Sequence, residues 1–480
     1  MRHIIKKCVL LIVFAVMLSI LLLFPDVKLT KASGGVPINS RYFSNDMQSI
    51  CKLYYDLNKD GYLSQSEIQK IKKYEITDYE YEPDSGLMKK DFRGMEYFTS
   101  LETINLEGVE IKNLKLDRLN KLKSLSLYVC RLDGINFEKM PSLCEVSLVN
   151  VDMTSKYNFS KNKKLKKLIL NNKSGITKLD VSKLKKLEYL AIVDDIKKID
   201  LSKNKKLKVL AVTAKLKKLN LLKNKKLEVL ELDTPNLKKI DISQNKKIKS
   251  ISVTAPVSQF DMTDNKNLKK IFISSDECKS MWVNGLSNLK EAKIEASSLS
   301  LVDVSGNVNL KTFDIKANLT SLDLNGNTSL KNLTIDAPLE NFDISGLPSL
   351  VNMTLQHVKI NELNLVNTNL NNLYLNNSEI RMVDISNLHG LERLEMKKCS
   401  TAAINTSENN SKLIRIHAGK CSNLKEITVH QTSRLENVEF DYANEDCKTN
   451  EISYDINELR DPKTGVIKMI DNMNEVWISK

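Results

Sequence analysis

The chain has 480 residues, 41% hydrophobic but only 6% aromatic, and its 73 Lys and Arg outnumber 59 Asp and Glu to give a formal net charge of +14. At that length one compact core no longer suffices, so the chain is either several domains or one repeat array. Past the N-terminus no apolar stretch is long enough to cross a bilayer, and no C-terminal tail reads as an anchor.

Residues 1–32 read as an export signal. Arg2, Lys6 and Lys7 precede an apolar run from Cys8 to Phe24 broken only by Ser19, about the length of a signal core and short for a spanning helix. The small residues Thr30-Lys31-Ala32-Ser33 follow where a signal peptidase cuts, which places cleavage after Ala32 and the mature protein outside the cell or on its surface. Left uncut, the same segment would tether the chain to a membrane. Cys8 opens the apolar run and is badly placed for lipid attachment. Cleavage removes five basic residues and Asp26, lowering the net charge from +14 to +10. Seven cysteines remain, an odd number without any C-x-x-C pair, so at least one thiol is unpaired or paired between molecules. Cys399 and Cys421 lie about one repeat apart, a spacing that allows a bridge between neighbouring coils. The other cysteines read as small buried residues.

Residues 33–96 contain a twelve-residue loop, Asp56-Leu57-Asn58-Lys59-Asp60-Gly61-Tyr62-Leu63-Ser64-Gln65-Ser66-Glu67. Asp56, Asn58 and Asp60 offer side-chain oxygens, Gly61 the sharp turn, Tyr62 a backbone carbonyl, Ser64 a water-holding hydroxyl and Glu67 two closing oxygens. That is the EF-hand pattern, and it predicts one calcium site with an affinity on the order of 0.1 to 1 mM, as in extracellular modules. Met47, Ile50 and Leu53 mark one face of an entering helix, and Ile68 and Ile71 one face of a leaving helix. Dockerins carry two such loops, whereas this chain has one. The stretch Asp91-Phe92-Arg93-Gly94-Met95-Glu96-Tyr97-Phe98-Thr99-Ser100-Leu101 resembles the junction that joins a single EF-hand to leucine-rich repeats in exported proteins of gut-type Firmicutes. The resemblance implies that the hand caps the first coil.

From about residue 97 to 440 one short phrase recurs, as in Leu179-Asp180-Val181-Ser182, Ile199-Asp200-Leu201-Ser202, Ile240-Asp241-Ile242-Ser243, Val302-Asp303-Val304-Ser305 and Val383-Asp384-Ile385-Ser386, at steps of 20 or 21 residues. Its apolar positions follow L-x-x-L-x-L-x-x-N, for example Leu237-x-x-Ile240-x-Ile242-x-x-Asn245. The terminal amide recurs at Asn204, Asn224, Asn245, Asn265, Asn307 and Asn327, and Leu184, Leu286, Leu347 and Leu388 take the same slot. An inward amide there is expected to satisfy turn backbone in its own and the next coil. Each period holds a second apolar arc, such as Leu207-x-x-Leu210-x-Val212, which leaves no room for an ordinary helix. The pattern predicts a flat, mostly β solenoid with a strand on each side and a small helical cap at its N-terminus. It resembles the short leucine-rich repeats of internalin-like bacterial surface proteins. The resemblance implies a protein or glycan ligand bound through side chains exposed on the strand face.

Between Lys161 and Lys249 there are 27 lysines against nine acids, a local net charge of +18. The turn pairs Lys163-Lys164, Lys185-Lys186, Lys205-Lys206, Lys225-Lys226 and Lys246-Lys247 recur in phase and should stack into ridges that meet a polyanion such as an anionic cell-wall polymer. Solvated turns copied by repeat duplication would give the same lysines. Aromatic residues for base stacking are nearly absent from the belt, which argues against nucleic acid. His357, His389, His417 and His430 show no metal-ligand spacing, and neither a nucleophile elbow nor a Gly-rich phosphate loop is present. A non-catalytic protein is therefore expected. Residues 441–480 depart from the repeat and read as a C-terminal cap.

Overall fold

The computed structural model describes residues 35–424, apart from 78–85, 154–156, 173–175, 364, 367, 408 and 422. Beyond these it describes the backbone of strands Glu426–Thr428, Asn437–Ala443, Thr449–Asp455, Ile467–Ile470 and Glu475–Ser479. The expected export segment, residues 1–32, lies outside the described residues.

The architecture is a parallel β-solenoid in which every 20 to 22 residues from Thr103 onward return the chain to the same point of the coil. One long sheet opens at Lys73–Ile76, and each strand is parallel to the next as far as Asn437–Ala443, beyond which one antiparallel strand, Thr449–Asp455, closes it. Its register superimposes like on like. Leu168, Leu190, Leu210, Leu230, Ile251 and Ile271 form one inward row across six strands. All six are buried. Alternation along each strand turns these residues inward and their neighbours to the outer face. A coil of this size has no interior of its own, so burial of about 1.5 to 3 kcal/mol per leucine is realised only against adjacent coils.

This continuous sheet is built from the second apolar arc of each period. The arc containing the Asp-Ser phrase forms strands in only part of the chain. They run from Met88–Asp91 to Asp152–Met153, from Gln259–Asp261 to Leu301–Asp303, over Ser321–Leu322 with Asn341–Phe342, and from Lys359–Glu362 onward. Between Met153 and Gln259 the described residues show a single bridge on that side, Lys178 with Lys198. The expected strand on each side thus holds on one side throughout and on the other only intermittently. In these coils the Asp side chain captures the N–H two residues on, as Asp200 does from Ser202 at 2.8 Å. The same turn occurs in a paired coil, where Ser305 N–H donates to Asp303 at 3.0 Å, so it does not by itself prevent pairing. What distinguishes the open coils is the pairs Lys197-Lys198, Lys217-Lys218 and Lys238-Lys239, where Ser258-Gln259, Lys279-Ser280 and Ser300-Leu301 stand in the closed ones. Like charges facing each other across adjacent coils weaken strand pairing, but they are not the sole control: Lys178 and Lys198 still bridge, and pairing also lapses between Asp303 and Ser321, where no lysine pairs face.

The asparagine slot works differently from expectation. Asn224 Nδ2 donates to the carbonyls of Leu201 (3.1 Å) and Asn204 (3.0 Å), both in the preceding coil. Asn162, Asn204, Asn245, Asn265 and Asn410 repeat that pair of bonds to the coil before. Asn307 and Asn327 instead donate within their own coil, to Val304 and Leu324. The turn itself closes through a main-chain bond in both groups, Asn224 N–H to Leu221 and Asn327 N–H to Leu324, so that bond does not decide where the side-chain amide donates.

At the N-terminal end, helix Asn45–Ile50 passes into a π-turn over Cys51–Tyr55, closed by Asp56 N–H donating to Cys51. The wider winding turns Cys51 inward and leaves Leu53 71% exposed, so the expected Met47, Ile50, Leu53 face breaks at its third member. Ile68 and Ile71 are buried as expected. Helix Gln65–Lys70 leads directly into Lys73–Ile76, the first strand of the long sheet. An aromatic cluster of Phe43, Tyr55, Tyr97 and Phe98, with ring centroids 5.3 to 6.5 Å apart, packs the hand on the first coil. Gly94, at φ +107°, lies under Phe43, where a Cβ would come within 2.2 Å of the ring.

The Asn224→Ala variant should lose about 2 kcal/mol, because two buried carbonyls lose a donor. Asn224→Leu should lose less, since leucine already fills this slot in four other coils. Urea midpoints of the two variants and the parent test this, and two unchanged midpoints would remove the amide from any role in coil stacking.

Candidate functional site

Three surfaces carry the residues singled out by sequence. The first is the loop from Asp56 to Glu67. Gly61 adopts φ +78°, the left-handed turn the pattern requires. Asp56 and Glu67 are its two buried acids. Asp60 N–H donates to Asp56 Oδ1 (3.1 Å) and Gly61 N–H to Asp56 Oδ2 (3.0 Å). Leu57 N–H donates to Glu67 Oε1 (2.8 Å), and Ser64 N–H and Oγ donate to Glu67 Oε2 (2.8 and 2.7 Å). Glu67 therefore serves two ends at once, closing the loop and completing a capping box with Ser64 on the leaving helix. Asn58 Nδ2 donates to Asp60 Oδ2 at 3.1 Å, and Asn58 Oδ1 accepts from Asp60 N–H.

Among the described residues no three Asp, Glu, His or Cys side chains stand close enough to hold a metal by themselves. The donor set of the loop is broader than that, since it adds the Asn58 amide oxygen, the Ser64 hydroxyl and the Tyr62 carbonyl to three carboxylates. Oxygen-only ligands with three negative charges suit a hard divalent cation. Each Asp56 oxygen accepts one N–H bond and keeps a second lone pair. The residues present fit calcium in kind and order. A feature absent from the sequence reading is the neighbour of the loop: Tyr62–Leu63 pairs antiparallel with Val36–Pro37, and Ile38 N–H donates to Gly61 O at 2.9 Å. A two-residue strand from upstream thus stands beside the lone hand.

The second surface is the outward face of the long sheet. Tyr189, Val209 and Val229 align in one row, and Ile169, Ala191 and Ala211 in the next, making an apolar area across four strands. All six side chains are half-buried. Lys167 stands 5.5 Å from the Tyr189 ring. Further along, the same face carries Phe272 and Tyr374, with Lys293 6.0 Å from the Phe272 ring. Between them lies a charged field. Lys293 pairs with Glu295 at 2.9 Å, Lys316 with Asp336 at 3.4 Å, and His357 Nδ1 meets Asp336 at 2.6 Å. Burial pushes the Asp314 carboxyl above its usual range, with Lys293 acting in the opposite direction. Toward the C-terminus the face becomes an amide ladder, Asn372 to Asn352 to Asn332, each step 2.7 Å.

The third surface is the lysine belt. Lys163, Lys164, Lys185, Lys186, Lys205, Lys206, Lys225, Lys226, Lys246 and Lys247 are all exposed at the same turn of successive coils. Of these ten only Lys246 has a carboxylate within 4.0 Å among the described residues, Asp264 at 3.9 Å. Strands of neighbouring coils lie about 4.8 Å apart, so the ten ammonium groups form a double ridge at that pitch. Three further lysine pairs, Lys197-Lys198, Lys217-Lys218 and Lys238-Lys239, line a groove on the open side of the coil. In sequence they appear only as part of the local charge; their shared place just before Ile199-Asp200, Leu219-Asn220 and Ile240-Asp241 was the available signal that they converge. Likewise the sheet-face aromatics follow from the alternation of the second arc, once that arc is known to be the continuous one.

The cysteines are packing residues in the main. Burial pushes Cys51 up to about 12 and Cys278 up to about 11. Cys399 and Cys421 follow equivalent strands of adjacent coils, each preceded by a lysine at positive φ. The neighbouring Cys421 thiol holds Cys399 below the ordinary thiol range. Both are free thiols here.

No family model and no curated protein matches the chain. Among solved structures it is similar to the functional domain of InlJ from Listeria monocytogenes, which includes a cysteine ladder, with 19% identity and a TM-score of 0.61 over 93% of this chain and 98% of that one. It is also similar to the Leptospira interrogans leucine-rich-repeat protein LIC12759, with 19% identity and a TM-score of 0.54 over 72% of this chain and 94% of that one. The fold is thus a leucine-rich-repeat solenoid of internalin-like form. Among the described residues no helix is long and apolar enough to cross a membrane.

Because Glu67 accepts from Leu57, Asn58 and Ser64 N–H groups, Glu67→Ala should destabilise the cap by about 2 kcal/mol even in the presence of chelator. Asp60→Ala, at the half-buried rim of the loop where its carboxylate accepts only the Tyr62 N–H from the main chain, should cost well under half of that without metal. Chelator-treated melts of both variants test the difference; equal losses would deny Glu67 its structural part.

Proposed function

We propose that this solenoid is an exported, non-catalytic recognition protein that holds a protein or glycan ligand on the outward face of its long sheet. The observation that carries the reading is the run of Tyr189, Val209, Val229, Ile169, Ala191 and Ala211, an apolar area on a sheet face that would be polar if it met only water. Rigid parallel strands hold these side chains at fixed spacing, so contact requires little ordering of the receptor. The flanking Lys167 and the downstream charged field supply orientation to a ligand that lies along the solenoid axis. Cleavage after Ala32 would release the chain with Ser33 as its first residue. N-terminal sequencing of the exported form checks this, and retention of residues 1–32 would make the protein a tethered one.

Within this reading calcium occupies the loop formed by Asp56, Asn58, Asp60, Tyr62, Ser64 and Glu67 and strengthens the cap. With a dissociation constant on the order of 0.1 to 1 mM, 10 mM calcium stabilises the folded chain by about 1.4 to 2.7 kcal/mol. The expected result is a rise in melting temperature with calcium that is absent in Asp56→Asn. A melting curve indifferent to calcium would leave the loop as a structural cap alone.

A second reading has the protein held to an anionic wall polymer through the turn lysines Lys163 to Lys247. It is favoured by their exposure and by their shortage of carboxylate partners.

The double variant Val209→Glu, Val229→Glu places two charges on the sheet face without touching the inward row. Immobilised parent chain, residues 33–480, should retain a discrete protein or glycan from a cell-surface extract that the double variant fails to retain. If the variant retains the same species, the ligand sits elsewhere.

A further inference from the structure

We infer that the open side of the coils between Lys197 and Gln259 is a groove for a linear polyol phosphate, a flexible aliphatic chain with one phosphodiester charge per short repeat. The groove encloses about 1460 Å³, and its walls are Lys197, Lys198, Lys217, Lys218, Lys238 and Lys239. All six lysines are exposed, and only Lys238 has a carboxylate within 4.0 Å among the described residues, Glu277 at 3.5 Å. At a coil pitch of about 4.8 Å the three pairs stack within roughly 10 Å along the axis. The floor is aliphatic, formed by Ile199, Leu219 and Ile240. The one lining carboxylate, Asp241, is engaged by the Ser243 N–H at 2.9 Å.

Main-chain groups add to the charge. The closed coils use their N–H groups for strand pairing on this side, as at Gln259–Asp261 with Ser280–Trp282. In the open coils the N–H groups of Lys217, Lys218, Lys238 and Lys239 donate to no acceptor among the described residues. Oriented N–H groups beside ammonium groups are the donor set that tetrahedral oxyanions select. None of the lining residues is aromatic, so neither nucleobases nor sugar rings find a stacking surface. A chain without rings, whose carbons lie on the aliphatic floor while its phosphates meet the lysines, matches the groove best.

This inference deepens the wall-polymer reading and moves its contact from the turn ridge to the groove. The test is binding of the chain, residues 33–480, to poly(glycerol phosphate) at 50 and 200 mM salt, beside two variants of equal net charge. The groove variant carries Lys197→Gln, Lys198→Gln, Lys217→Gln and Lys218→Gln; the turn variant carries Lys205→Gln, Lys206→Gln, Lys225→Gln and Lys226→Gln. The parent should bind at least tenfold more weakly at the higher salt. The groove variant should lose at least tenfold at 50 mM, and the turn variant no more than about twofold. Hydrogen exchange on the parent provides a readout independent of folding in the variants: polymer should protect the amides of Lys217 to Leu219. A loss confined to the turn variant would overturn the groove and keep the wall-polymer reading, whereas no binding by the parent would overturn both. Equal losses in both variants, or no amide protection, would reduce the contact to diffuse charge. Tighter binding of heparin or single-stranded DNA would overturn the assigned ligand class.

Discussion

Everything in this molecule depends on the edge of one coil being the only available partner for the edge of the next. A 20- or 21-residue turn of chain has too little interior to bury its leucines, and although its corners close main-chain bonds locally its strand cannot. Stacking in register solves both problems together: Leu190 meets Leu210, which meets Leu230, and the strand carrying each donates to its neighbour. The asparagine slot extends the same logic into the turns, where no strand exists. Asn204, Asn224, Asn245 and Asn265 hand their amide hydrogens to the carbonyls of the coil before, and so pin corner to corner as the ladder pins face to face.

Register also explains why the surfaces come as stripes. When coils superimpose, any residue type copied through the repeat becomes a column, whether apolar on the sheet face, amide near Asn352, or cationic at the turns. Inward columns are uniform because packing demands it. Outward columns change character along the axis, from lysine at Lys206, Lys226 and Lys247 to asparagine at Asn267, Asn288 and Asn309, where the amide donates to the preceding coil. On the side of the coil opposite the sheet the Asp-Ser phrase is equally regular in paired and unpaired coils, so that phrase does not decide which coils pair there.

The solenoid, its period and its inward residues were legible because periodicity and burial act on the same positions. Which of two apolar arcs becomes the continuous sheet was not legible, since both alternate within a single period and the difference appears only when coils are laid side by side. Leu53 was misread for a similar reason: the helical spacing of Met47, Ile50 and Leu53 is sound, but a π-turn from Cys51 onward shifts the face by part of a turn. The loop pattern from Asp56 to Glu67 could be read residue by residue. The strand Val36–Pro37 beside it could not, because two residues with no alternation leave no trace in sequence. The lysines of the belt were visible as a count, while their sorting into a turn ridge and a groove required the third dimension.

At the far end, Asn437–Ala443 is followed by Thr449–Asp455 running the opposite way, and on the other side Ile467–Ile470 pairs antiparallel with Glu475–Ser479. A parallel stack grows by templating, each turn offering the next an edge of the same polarity. Reversing the chain on both sides of the coil withdraws that template, so a second molecule arriving end-on meets strands of the wrong direction for continuing the series. Two short reversals thus work against polymerisation, and they bear on how a protein built mainly of self-complementary turns avoids end-on growth.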